Sequence, residues 1–166
     1  TFSFVLENLG GTMLSNVALA DDLAAAFPAP ATFTVSNLAS TDFSIHPGFD
    51  GDADTALLGA GNTLAIGASG SVSFDLRLVP NGSAGPFSNS ATASATGPGG
   101  APVDDVSDSG SDPDPDGDGD PEESGENDPT SLTLPTLPAS VAGIVFTDLD
   151  GNGVYGAGDV LLAGWT

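Results

Sequence analysis

Carboxylates alternate with Pro and Gly along one stretch of the chain, the acidic segment 103–128 (VDDVSDSGSDPDPDGDGDPEESGEND), which holds about half of the 23 acidic residues. Five aspartates in it are spaced by two: Asp112, Asp114, Asp116, Asp118 and Asp120. Side chains with this spacing can converge on one ion if the backbone between them turns tightly, which Gly permits. Calcium accepts about six to eight oxygen ligands in flexible geometry, so the segment suits Ca²⁺ better than Mg²⁺.

One register of the segment fits the calcium-loop template of EF-hands. It uses Asp112, Asp114, Asp116 and Gly117, with Glu123 as the closing carboxylate. Registers shifted by two residues also fit, and the prolines between the aspartates are awkward because each fixes φ and removes an N–H. The alternative is a solvated linker, extended because like charges repel and little apolar surface is available to bury.

A second candidate metal loop spans 148–159 and matches D-x-D-x-N-G-x5-D at every position. Gly153 supplies the sharp turn, and the predicted ligands are the side chains of Asp148, Asp150, Asn152 and Asp159 and the backbone carbonyl of Val154. The flanking sequences are short, apolar and β-branched, so we expect this loop to join strands rather than helices. The alternative is an ordinary turn rich in Asp, Asn and Gly.

The charge balance limits the classes of partner. The formal net charge is −22, and Arg77 is the only Lys or Arg. Nucleic acids and anionic membrane surfaces are attracted by Lys and Arg, so we expect neither as a partner. The sequence has no stretch long and apolar enough for a transmembrane helix. It also contains no Cys, so disulfides cannot stabilise the fold, and bound calcium could take over that role in an extracellular protein.

Alternation of apolar and polar residues predicts an all-β fold. The clearest case is 71–78, where Val72, Phe74, Leu76 and Leu78 share one face. About seven or eight short strands with frequent turns indicate an immunoglobulin-like Greek-key β-sandwich over 1–134, with the acidic segment as a calcium loop between its last two strands. Residues 87–96 are predicted to form a single strand. A Pro-rich linker (135–140) follows, and 141–166 is predicted to begin a second calcium-binding β-sandwich.

Three segments, FVLENLG (4–10), NVALADDL (16–23) and VDDVSDSGSDPDP (103–115), resemble the Ig-like repeat domains of large bacterial surface proteins and adhesins. The C-terminal sequence VAGIVFTDLDGNG (141–153), with Asp159, is similar to the calcium-binding B-type repeats of serine–aspartate repeat surface proteins. The resemblance implies a secreted, multidomain stalk made rigid by calcium. Only 26 residues of the second domain are present where roughly 100 are needed, so we expect either a longer chain or completion of this unit by another chain.

The sequence favours a structural role over catalysis. It has no Cys and one His, His46, and its carboxylates are not accompanied by the aromatic residues that line glycosidase grooves. The leading hypothesis is a calcium-stiffened repeat module of an extracellular fibre, stalk or adhesin on the cell surface, with neighbouring domains or copies of the same chain as partners. The alternative is a calcium-dependent, lectin-like or protein-binding adhesin domain with a host or glycan ligand. A third hypothesis is assembly into filaments by strand exchange between chains.

Overall fold

The structure, a computed structural model, describes residues 1–123, 125–135 and 142–162. The chain divides into two compact units, Thr1–Leu134 and Pro135–Thr166. The strands of the first unit are β1 (Phe2–Glu7), β2 (Leu14–Asp21), β3 (Thr32–Ala39), β4 (Thr63–Leu64), β5 (Ser69–Val79), β6 (Phe87–Asn89), β7 (Ala91–Thr96), β8 (Pro102–Val106) and β9 (Thr130–Leu132). A single helical turn, α1 (Leu23–Ala26), follows β2, and a 3₁₀ turn, Pro98–Gly100, precedes β8.

The strands of the first unit form antiparallel sheets. One sheet has the order β1-β5-β3, a second has the order β4-β2-β7-β8, and β6 pairs with β9. Buried residues from both larger sheets belong to one hydrophobic core. The predicted all-β, sandwich-like fold is therefore confirmed, while the immunoglobulin-like Greek-key topology stays a prediction. Within the part of the chain that the structure describes, no helix is long and apolar enough to cross a membrane.

Aromatic rings form the centre of this core. Phe74 on β5 is almost fully buried, and its ring stacks on Phe2 at 5.5 Å and meets the edge of Phe49 at 5.1 Å. Phe27, just after α1, lies 5.3 Å from Phe87. A fully buried Phe contributes about 1.5–3 kcal/mol through burial, so a few rings support a core whose other members are small. The alternation predicted for β5 is confirmed, since Val72 is buried and Leu76 and Leu78 are half-buried.

The predicted single strand 87–96 is wrong, because β6 and β7 belong to different sheets. Phe87, Asn89 and Ala91 are all buried, so the inward-facing pattern runs through Ser90 without interruption. The change lies in the backbone partner: β6 pairs with β9, whereas β7 pairs with β2 and β8. Periodicity reports which face of a strand is buried and not which strand lies beside it, so the sequence could not reveal the switch.

The first residues of the acidic segment form a strand and not a loop. Residues 103–106, predicted as part of the calcium loop, lie in β8 and pair antiparallel with β7. Val103 and Val106 supply β-branched side chains that favour a strand. The strand is at the edge of its sheet, where charged residues such as Asp104 remain in solvent and are tolerated. The high local charge concealed this strand in the sequence.

The second unit contains a short antiparallel hairpin, β10 (Phe146–Thr147) and β11 (Val160–Leu161). Leu162 N donates to Val145 O at 3.0 Å, extending the hairpin by one hydrogen bond. The predicted linker 135–140 lies outside the described residues except for Pro135, as do residues 141 and 163–166 of the predicted second domain.

Two adjacent aspartates at the end of β2 have different environments. Asp22 caps α1, and its Oδ1 accepts from Ala25 N at 2.9 Å. Asp21 is only 1% exposed and accepts from Asn89 Nδ2 at 3.0 Å. Asp21 Oδ1 and Asn89 Oδ1 find no hydrogen-bond partner among the described residues. Burial raises the pKa of Asp21 to about 6, so the folded state favours the protonated carboxyl.

The substitution Asp21→Asn is expected to stabilise the protein at neutral pH. The folded pKa lies above the unfolded value of 3.8, so the wild-type protein loses stability as pH rises from about 4 to about 6. A shift of about two pKa units corresponds to about 2–3 kcal/mol. The variant removes the buried charge, and its new amide can donate to Asn89 Oδ1. Chemical denaturation at pH 4 and pH 8 checks this: the gain should be present at pH 8 and small at pH 4.

The substitution Asp22→Asn is the matched control. It removes one exposed charge from the neighbouring residue and keeps a side chain that can cap α1. The charge of Asp22 is the smallest of the contributions to the pKa shift of Asp21, so the effect of this control on stability should change much less between the two pH values than that of Asp21→Asn. An equal gain from Asp21→Asn at both pH values would contradict the assignment of a buried Asp21 with a raised pKa.

Candidate metal centres

The loop between β10 and β11 wraps its backbone around the carboxylate of Asp148. Asp148 Oδ1 accepts from Gly151 N at 2.7 Å and from Asn152 N at 3.2 Å, and Oδ2 accepts from Gly153 N at 2.8 Å. Gly151 and Gly153 have φ values of 73° and 76°, which glycine adopts without the steric cost that other residues incur. These backbone donors, with Gly153 first, lower the pKa of Asp148, so the carboxylate stays charged.

Three carboxylates of this 148 loop (148–159) converge. One oxygen each of Asp148, Asp150 and Asp159 lie within 4.8 Å of one another. Oxygens bound to a single Ca²⁺ at about 2.3–2.6 Å are separated by no more than about 5 Å, so the group fits one ion. Asp159 is held across the loop, since Oδ1 accepts from Leu149 N at 3.0 Å and Oδ2 from Gly156 N at 2.8 Å.

The remaining predicted ligands of the 148 loop lie beside this group. Asn152 Nδ2 donates to Asp150 Oδ2 at 2.7 Å, and Asn152 Oδ1 accepts from Val154 N at 2.7 Å. The side chain of Val154 is exposed, which agrees with a residue that would contribute only its carbonyl. The residues of the template are therefore placed together, and their binding of calcium stays a prediction.

The acidic segment contains a second loop with the same hydrogen bonds, the 114 loop (114–120). Asp114 Oδ1 accepts from Gly117 N at 2.9 Å and from Asp118 N at 3.2 Å, and Oδ2 accepts from Gly119 N at 3.0 Å. Gly117 and Gly119 have φ values of 77° and 86°, close to those of the glycines in the 148 loop. Asp114 thus stands where Asp148 stands in the other loop.

The correspondence extends along both loops. Asp118 N donates to Asp116 Oδ1 at 3.1 Å, as Asn152 N does to Asp150 Oδ1 at the same distance. One oxygen each of Asp114, Asp116 and Asp118 lie within 4.8 Å of one another. The geometry therefore favours the register that begins at Asp114, one of the registers shifted by two residues.

The other predicted ligands of the acidic segment lie around this group. Asp112 precedes it, and its Oδ1 accepts from Asp114 N at 3.3 Å. Asp120 takes the position of Val154 in the 148 loop, where a backbone carbonyl is the expected ligand. Glu123 is exposed, and the charges of Asp118 and Asp116 raise its pKa. Its carboxylate is not one of the three that lie within 4.8 Å of one another.

Sequence reasoning missed Glu126. Its side chain is only 6% exposed, and Oε2 finds no hydrogen-bond partner among the described residues. Burial, and then the charges of Asp116, Asp114 and Asp118, raise the pKa of Glu126. In the register that begins at Asp114, the closing position of the template is Gly125, which has no side chain to offer. A carboxylate one residue later was the signal available in the sequence.

The acidic turn at 50–54 has a different arrangement. Asp50 Oδ1 accepts from Asp52 N and Asp54 N, both at 2.9 Å, and these backbone donors lower the pKa of Asp50. Asp54 Oδ2 lies 3.2 Å from His46 Nδ1. Asp54 Oδ1 accepts from Ala56 N at 3.2 Å. The carboxylates at the two ends of this turn are thus engaged by backbone amides, as in a solvated turn.

The acidic segment also lines part of a cavity in the first unit. A cavity of about 400 Å³ is lined by apolar side chains of the sandwich and by residues of the acidic segment. Its wall includes Phe4 and Leu6 of β1 and Val17 of β2, and its rim includes Asp120 and Glu122. Residues of the acidic segment and apolar residues of the sandwich therefore line the same cavity.

Comparisons with models of known protein families, with curated proteins and with solved structures found no match to this chain.

Terbium luminescence is expected to report the 148 loop selectively. Tyr155 is the only Tyr, lies within this loop and packs edge-on against Phe146 at 5.4 Å, whereas 114–120 contains no aromatic residue. Tb³⁺ prefers the same oxygen ligands as Ca²⁺, so a bound Tb³⁺ near Tyr155 should emit when Tyr is excited. The measurement is made in a Trp165→Phe background, which leaves Tyr155 as the sensitiser.

Asp148→Ala should abolish most of this emission, because it removes both a ligand and the acceptor of three backbone N–H groups. Asp114→Ala, the equivalent change in the 114 loop, should leave the emission nearly unchanged. Emission that survives Asp148→Ala would contradict the assignment of the 148 loop as a metal centre.

Proposed function

We propose that this chain is a structural module of an extracellular bacterial surface fibre, stalk or adhesin, and that Ca²⁺ bound in the 114 and 148 loops stiffens it. The observation that supports the proposal is a hydrogen-bonding arrangement that both loops share. In both loops, three successive backbone amides turn onto one aspartate, and carboxylate oxygens of three residues lie within 4.8 Å of one another.

Calcium would act first on charge. Carboxylates held this close repel one another, and the unfolded chain relieves the repulsion by separating them. An ion that binds the folded loop and not the unfolded chain reverses this balance and adds its binding free energy to stability. The 148 loop would fix the hairpin of β10 and β11, and the 114 loop would fix the long connection between β8 and β9.

Association between copies of the chain is a second part of the proposal. In the described sheets, β1 pairs with β5 alone and β8 pairs with β7 alone, so each has one edge that pairs with no other described strand. Added strands are bound through their backbone groups. The carboxylates of Asp104 and Asp105 on β8 oppose the approach of another acidic chain, so strand exchange between copies at this edge would require a cation.

Thermal unfolding in millimolar calcium and in a chelator tests the proposal. Each ion should stabilise the protein by about 2.7 kcal/mol when its concentration is a hundred times its Kd, so the melting temperature should rise by several degrees or more. Light scattering on both samples checks association, and a scattering mass that grows only with calcium would support strand exchange.

Sodium chloride at matched ionic strength is the control, because it screens repulsion without occupying a site. A double variant, Asp114→Ala with Asp148→Ala, should show the same melting temperature in calcium and in chelator. Equal melting of the unmodified protein in calcium and in chelator would reject the proposal and leave the acidic segment as a solvated linker.

A further inference from the structure

We infer that Glu126 is the closing ligand of an ion held by Asp114, Asp116 and Asp118, and that it fastens the 114 loop to the edge of the β-sheet. The inference rests on the proposed function, since it assigns a residue to one of the two calcium loops. It replaces Glu123, which the sequence template favours, with a residue that the template does not include.

The 114 loop has no carboxylate at the closing position of the template. The hydrogen bonds of the 114 loop align it with the 148 loop, whose closing carboxylate is Asp159. The matching position in the acidic segment is Gly125. The EF-hand template closes its oxygen shell with a carboxylate at this position, and the carboxylate nearest to Gly125 in the sequence is that of Glu126.

Among the described residues, Glu126 is a buried carboxylate without a hydrogen-bond partner on one of its oxygens. Glu126 is more than nine-tenths buried, and its Oε2 has no hydrogen bond within the described part of the chain. A buried carboxylate without a partner is costly. The charges of Asp116, Asp114, Asp118 and Glu123 raise its pKa, so the carboxylate lies among other negative charges and, within the described ranges, has no compensating cation beside it.

The chain has almost no cationic side chains that could compensate the charge of Glu126. The chain has one Lys or Arg, which is Arg77. Arg77 is exposed on β5, opposite Thr34 of β3. Nothing else in the sequence carries a permanent positive side-chain charge, so compensation for Glu126 and three aspartates has to come from solution. A divalent cation with carboxylate ligands meets this requirement.

Glu126 is also better anchored than Glu123. Glu126 N donates to Glu123 O at 3.1 Å, and Asp128 N donates to Asp108 Oδ1 at 3.2 Å. With its amide turned toward the sheet, Asn127 places its nitrogen 2.6 Å from Val106 O, at the end of β8. An ion bound to Glu126 would therefore join the 114 loop to the sheet edge through the residues that follow it.

The experiment uses the full chain with Asp148→Ala, so that calcium heats in calorimetry report the 114 loop alone. Into this parent we introduce Glu126→Gln, Glu123→Gln or Glu122→Gln, each of which removes one negative charge with little change in shape. Glu126→Gln should weaken calcium binding at least about tenfold. Glu123→Gln and Glu122→Gln should weaken it less than about threefold, because they only reduce the surrounding charge.

Melting in a chelator separates a ligand from a merely structural residue. Glu126→Gln removes a buried, uncompensated charge, so it should melt at or above the parent without calcium and below it with calcium. Melting below the parent in both conditions would overturn the inference. So would unchanged affinity in Glu126→Gln, or a tenfold loss in Glu123→Gln instead. If the parent itself gives no calcium heat, the 114 loop fails as a metal centre, and the proposed function fails there before any role of Glu126 is considered.

Discussion

Uncompensated negative charge is the constraint on which the rest of this structure depends. The chain carries 23 acidic residues and a single Arg, so its carboxylates have to be satisfied without ion pairs to Lys or Arg. Backbone amides supply part of the solution. Asp50, Asp114 and Asp148 each accept two or more backbone N–H groups, mostly from residues at tight turns. Such bonds stabilise an isolated carboxylate, but they cannot neutralise several carboxylates brought within a few ångströms of one another.

In the first unit, most of this charge lies away from a small aromatic core. Phe74, Phe27 and Phe87 lie inside, while most carboxylates lie in connections and on strand edges. Asp21 and Glu126 are buried carboxylates, and burial is the largest cause of the raised pKa of each. The acidic segment links the two regions, because it begins as β8 at the sheet edge, lines the apolar cavity and ends at β9. Its conformation therefore affects both the charge and the core.

The sequence predicts the all-β fold and the inward face of β5 because side-chain alternation depends only on local geometry. It also predicts which residues of the 148 loop lie together, since they all belong to one short template, while their binding of calcium stays a prediction. It does not separate β6 from β7, because the change at Ser90 is one of backbone partner. It passes over Asp21 and Glu126, because their burial is produced by residues distant in the chain, such as Asn89. In the acidic segment, evenly spaced aspartates fit several registers, and only the hydrogen bonds to Asp114 distinguish them.

The position of Arg77 has a practical consequence for proteolysis. Trypsin cleaves after Lys or Arg, so the bond between Arg77 and Leu78 is its only substrate in this chain. That bond lies within β5, between β1 and β3 in the sheet order, in a stretch paired with β3. A protease needs an extended, unpaired segment in its cleft, so cutting requires β5 to leave its sheet. The appearance of two fragments would thus measure opening of the first unit, without interference from cleavage in the loops.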